Sequence, residues 1–67
     1  MIKVESEREE DGRWIAEVPA LPGVMTYGDT EAQARAKAKV LALRVIADRL
    51  EQGEPLPREI ASVFEAA

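Results

Sequence analysis

Cysteine and histidine are both missing from this 67-residue chain. The first absence excludes a disulfide staple, and the two together exclude the usual Cys/His zinc site. There is no phosphate loop, and no segment approaches the roughly 20 consecutive apolar residues that a membrane-spanning helix needs. Met1-Ile2-Lys3-Val4 enters a strand pattern rather than a signal peptide, so the expected location is cytoplasmic. Positive charge is also scarce, with 9 Lys and Arg against 13 Asp and Glu and a net charge of −4. Affinity for a phosphate backbone comes mainly from Lys and Arg. The balance therefore argues against direct nucleic-acid binding and suits a basic partner better. A domain of this size buries only about 60% of the surface its unfolded chain exposes. With neither a staple nor a metal to compensate, self-association is the remaining common remedy, and a homo-oligomer is expected.

What is present is a run of strand, turn and helix signals. Ile2, Val4 and Ser6 alternate with Lys3, Glu5 and Glu7, the period-2 signature of a strand with one wet face. Asp11-Gly12 supplies a glycine for the positive φ of a hairpin turn. A second strand runs from Arg13 to Val18, with Trp14, Ala16 and Val18 on the core face and Arg13, Ile15 and Glu17 on the other. Pro19-Ala20-Leu21-Pro22-Gly23 cannot continue a central strand, because each proline removes a ladder donor, and Pro22-Gly23 suits a type II turn. Val24 to Tyr27 makes a short third strand. Thr30 and Gln33 then have the spacing of a capping box.

From Glu31 to about Gln52 the residues are strong helix formers, and Gly53 followed by Pro55 stops them. At 100° per residue, Ala32, Ala36, Val40, Leu43, Ile46, Ala47 and Leu50 fall on one stripe, expected to lie on the sheet. Leu41 and Val45, with Ala34, Ala38 and Ala42 near them, form a roughly opposite patch. Large aliphatic side chains there need cover, which makes Leu41 and Val45 the expected oligomer interface. The tail fits either a strand, through the alternation of Ile60, Ser62 and Phe64, or one helical face of Ile60, Val63 and Phe64. A fourth strand, with Phe64 in the core, is the reading adopted. The expected fold is α+β, an antiparallel three- to four-stranded sheet with one long helix packed on one face, in the order β-β-β-α-β.

The chain resembles the HicB-like antitoxin family over most of its length. The residues that carry the match are Asp11-Gly12, Trp14, Ala16, Pro19-Ala20-Leu21-Pro22-Gly23, Tyr27-Gly28-Asp29-Thr30 and the alanine-rich helix with Ala34 and Ala38. The resemblance implies a partial RNase H-like fold and a role in a type II toxin–antitoxin pair, in which the domain binds and blocks a small basic toxin that cleaves messenger RNA. Members often continue into a DNA-binding domain. Here residues 1–67 are expected to form a single domain with no separate DNA-binding unit, so operator binding is not carried over.

Three kinds of chemistry compete for the polar residues. Glu5, Glu7, Glu17 and Asp29 would suit a residual metal-dependent nuclease only if they converged, since paired metals sit about 4 Å apart. Solvated strand faces and local turn bonds explain them better, so no catalytic, cofactor or metal site and no enzyme activity is expected. Arg35, Lys37, Lys39, Arg44 and Arg49 scatter around the helix and form no basic stripe. The glutamate-rich first hairpin is more coherent, and Glu7, Glu9, Glu10, Asp11 and Tyr27 are the candidate partner-binding residues. A charged edge that prevents sheet-to-sheet aggregation explains the same acids. The functional expectation is an antitoxin-like protein that neutralises a ribonuclease toxin sterically. Its alternatives are a self-associating module with another ligand and the residual nuclease.

Overall fold

Gly12 makes the first chain reversal, at a φ of 92° that only glycine adopts without strain. The Gly12 N–H donates to the Glu9 carbonyl at 3.0 Å and the Glu9 N–H donates to the Arg13 carbonyl at 2.7 Å, so a short loop closes on a left-handed glycine bulge. This structure, a computed structural model, describes residues 2–62 and Phe64. The hairpin pairs β1 (Glu5–Arg8) with β2 (Trp14–Glu17) in antiparallel register, Ser6 opposite Ala16 and Arg8 opposite Trp14.

Two successive turns make the next reversal. The Leu21 N–H donates to the Val18 carbonyl at 2.9 Å, and the Val24 N–H donates to the Leu21 carbonyl at 3.0 Å. Gly23 takes a φ of 93° at the position where a type II turn requires it. The chain then enters β3 (Met25–Gly28), which pairs antiparallel with β2, and the sheet order is β1-β2-β3.

The helix α1 (Glu31–Glu51) starts where the cap signals place it, with Thr30 Oγ1 accepting from the Gln33 N–H at 3.1 Å. The return bond is displaced by one residue, since Gln33 Oε1 accepts from the Asp29 N–H at 3.1 Å. At the other end Gly53, at a φ of 73°, donates to the Leu50 carbonyl at 3.2 Å, and Glu54 donates to the Arg49 carbonyl at 2.9 Å. These two bonds are those of a Schellman stop. Among the described residues no helix is long and apolar enough to cross a membrane.

The helix packs on the face of the sheet that carries Trp14, Ala16 and Val18, so the α+β arrangement of a three-stranded antiparallel sheet under one long helix is as expected. Its rotation is not. Ala34, Ala38, Ala42 and Ile46 are buried and Leu41 and Val45 pack against the core, while Val40, Leu43 and Leu50 are exposed, Leu43 by 64%. Leu41 and Val45, the expected oligomer interface, are half-buried and turn toward the protein's own core rather than away from it. The reason is spacing. A Cβ built on Gly28 would lie 2.5 Å from the Ala34 nitrogen, so strand and helix approach too closely for anything but small side chains between them.

The tail is also corrected. The order of described elements is β-β-β-α-α, because Arg58–Ala61 forms a short helix, α2, instead of a fourth strand. The Ile60 and Ala61 N–H groups both donate to the Pro57 carbonyl, at 3.0 and 2.9 Å. Ile60 is fully buried, whereas Phe64 is 55% exposed and not a core residue. Val63 and residues 65–67, which the strand reading included, lie outside the described residues.

Candidate binding face of the sheet

The helix covers one face of the sheet and leaves the other open. Strand alternation places Glu5, Glu7, Ile15, Glu17, Met25 and Tyr27 on the open face. The register arranges them in two cross-strand rows, Glu5, Glu17, Met25 and Glu7, Ile15, Tyr27. Glu5 and Glu17 are thus directly opposed, and like charges in that position destabilise a sheet. Lys3 offers weak relief, with its Nζ 3.6 Å from Glu5 Oε2 on a largely exposed side chain. Glu7, Glu9 and Glu17 have no salt-bridge partner among the described residues. These four glutamates, with Ile15 and Met25, line a shallow concavity of about 500 Å³. The face thus sets uncompensated carboxylates beside the apolar side chains of Ile15 and Met25.

The hairpin turn closes one end of the face. Asp11 Oδ1 accepts from the Arg13 N–H at 3.0 Å and Oδ2 accepts from Arg13 Nε at 2.8 Å. The backbone bond first, and then the side-chain bond, hold the Asp11 carboxyl below the usual carboxylate range. The Arg13 guanidinium also sits 4.8 Å from the centroid of the Tyr27 ring, a cation–π contact. Arg13 therefore ties the turn to β3 and is occupied within the molecule.

On the helix side, Ser6 Oγ donates to Glu31 Oε2 at 2.6 Å and accepts from an Arg35 guanidinium N–H at 3.0 Å. Thr26 Oγ1 donates to the Ala34 carbonyl at 2.8 Å. These bonds tie the first turns of α1 to both outer strands.

The structure distributes the five candidate partner-binding residues in two groups. Glu7 and Tyr27 lie on the open face, in the same cross-strand row. Glu9, Glu10 and Asp11 gather at the hairpin, where Glu9 also lines the concavity and Asp11 is engaged by Arg13. Among the described residues no three carboxylates come close enough to hold a metal ion. Asp29 stands apart from the strand glutamates, at the start of α1.

Comparison with known proteins gives neither a matching family model nor a matching solved structure. A UPF0150 protein of Thermoplasma acidophilum is 35% identical over 54 residues, which span 81% of this chain and 78% of that protein. The chain belongs to the UPF0150 family. Three residues of this UPF0150 protein's open face, Ile15, Glu17 and Met25, were not among the candidate partner-binding residues, and Glu5 entered that reading only as part of the acidic first hairpin. Strand parity already placed Glu5, Ile15 and Glu17 on the outer side, but only the register shows that they meet Glu7 and Met25 in one concavity.

Proposed function

We propose that this UPF0150 protein is a HicB-like antitoxin that binds a small basic mRNA-cleaving toxin on the open face of its sheet and neutralises it by occlusion. The observation that carries this reading is the uncovered face itself, where opposed carboxylates surround Ile15 and Met25 with little cationic relief. A basic toxin meets both needs at once, since its cations offset the glutamates and its apolar contacts cover the isoleucine and methionine. Membership of UPF0150 is compatible with the sequence resemblance to HicB-like proteins. The action requires no cofactor and no bond chemistry: the toxin's RNA-binding surface is occupied, and this acidic chain repels RNA from the complex.

The test is co-purification and inhibition with a short basic protein encoded beside this chain. The expected result is a stable complex and loss of RNA cleavage at equimolar antitoxin. Glu5→Lys with Glu17→Lys should weaken inhibition about ten-fold or more while leaving helix content unchanged, because each reversal replaces attraction with repulsion. RNA cleavage by this chain alone in magnesium or manganese would defeat the proposal, as would undiminished inhibition by the double variant.

A further inference from the structure

The strand β3 has β2 on one side and, among the described residues, no strand on the other. The Val18 N–H donates to the Val24 carbonyl at 3.1 Å, so these residues sit at a hydrogen-bonded position of the ladder, with the Val24 N–H given to the turn instead. In an antiparallel ladder such pairs alternate, which makes Ala16 with Thr26 the next one. The N–H and C=O groups of Thr26 therefore point to β2, and those of Met25 and Tyr27 point to the open edge.

The two edges of the sheet are treated differently by the sequence. β1 carries Glu5, Glu7 and Arg8, with Lys3 just before it. β3 reads Met-Thr-Tyr-Gly, with no charge and no proline, and its Met25 and Tyr27 side chains are 48% and 42% exposed. Charges, prolines and bulges are the usual means of keeping a free edge from pairing, and β3 has none of them.

We propose that β3 pairs antiparallel with β3 of a second copy about a two-fold axis at Thr26, joining two three-stranded sheets into one. Facing residues must share a side of the sheet, which sets Met25 opposite the partner's Tyr27 and Thr26 opposite the partner's Thr26. The outward backbone groups of Met25 and Tyr27 on each copy then satisfy one another through about four hydrogen bonds. The exposed methionine packs on the facing tyrosine, and Glu5 and Glu7 stay two strands away from the junction. Pairing β3 with β1 instead would set Met25 and Tyr27 against a charged strand and propagate as an open fibre, whereas the two-fold pairing closes.

Sedimentation equilibrium or light scattering over a wide concentration range tests the proposal, and the expected mass is twice the 7.4 kDa of the chain. Because the chain has no cysteine, Thr26→Cys gives a clean cross-link. A non-hydrogen-bonded pair holds its Cα atoms about 4.5 Å apart, within disulfide reach, so oxidation should yield a covalent dimer that reductant reverses. Met25→Lys with Tyr27→Lys sets lysine against lysine and should weaken association about ten-fold or more at unchanged helix content. A wild-type chain of monomeric mass throughout would overturn the proposal. So would a folded double-lysine variant that dimerises as tightly as wild type, or dimerisation lost with Leu43→Lys on the exposed flank of α1 and kept in the double-lysine variant.

Discussion

Gly28 shows how one side chain, or its absence, sets the geometry of the whole interface. Its φ is ordinary, so the position is not one where only glycine can hold the backbone. The constraint is the helix above it, because an added Cβ would lie 2.5 Å from the Ala34 nitrogen and 3.0 Å from the Ala34 Cα, and backbone cannot swing away as a flexible side chain can. Gly28→Ala should therefore destabilise the protein by about 1–3 kcal/mol, the range for overpacking, as read from the urea midpoint. Asp11 supplies a second prediction at this scale. Its folded pKa is depressed by the bonds from Arg13, so the carboxylate's contribution is present above the unfolded pKa and is lost as pH falls through the folded one. Stability of the hairpin should decline on acidification below the ordinary carboxylate range. Asp11→Asn should remove that part of the pH dependence, and a carboxyl-carbon NMR titration should place the Asp11 midpoint below those of exposed aspartates.

The elements themselves were largely legible in the residues, and the failures have a common cause. Strand alternation identified the core side of β2, the Asp-Gly and Pro-Gly pairs marked both reversals, and Thr30 and Gly53 marked the ends of α1. These signals are local, and each is decided within a few residues of chain. The rotation of α1 is decided by its neighbour. Both of its stripes are apolar, and hydropathy gives more weight to the one with Val40, Leu43 and Leu50, but the close approach at Gly28 admits only the alanine-rich stripe. The same holds for the open face, whose acids were visible singly and whose convergence depends on cross-strand register. The tail pattern fitted two periods equally, and the Pro57 carbonyl and the burial of Ile60 resolve the described part of it as helix. A paired substitution checks the rotation directly. Ala38→Leu, at a position with no exposed surface, should cost about 1–3 kcal/mol. Leu43→Gln, on the exposed stripe, should stay within about 0.5 kcal/mol of wild type. If the two effects were reversed, the helix would present its other face to the sheet.

At the scale of the whole molecule, the helix is longer than the sheet it rests on. The 21 residues of α1 span about 31 Å at 1.5 Å each, whereas the four-residue strands reach only about 13 Å. The sheet cannot cover the C-terminal half of the helix, and the molecule is correspondingly long, 45 × 20 × 15 Å. The turns around Leu21 and the short helix α2 supply what the sheet lacks. Leu21 and Ile60 have no exposed surface and belong to the same buried cluster as Ile46. This makes α2 part of the core despite its four residues. Domains hold about 0.05–0.15 kcal/mol per residue, or about 3–10 kcal/mol for a chain of this length, and truncating a buried isoleucine to alanine costs about 2–5 kcal/mol. Ile60→Ala should therefore bring the isolated chain close to unfolding at 25 °C, seen as loss of helical circular dichroism at low urea. Phe64→Ala, at a side chain 55% exposed, should shift the midpoint little. If the phenylalanine change were as damaging as the isoleucine one, the tail beyond α2 would have to share in closing the core. If neither mattered, the sheet and α1 alone would hold the fold, and the overhanging half of the helix would owe its order to its own capping and propensity.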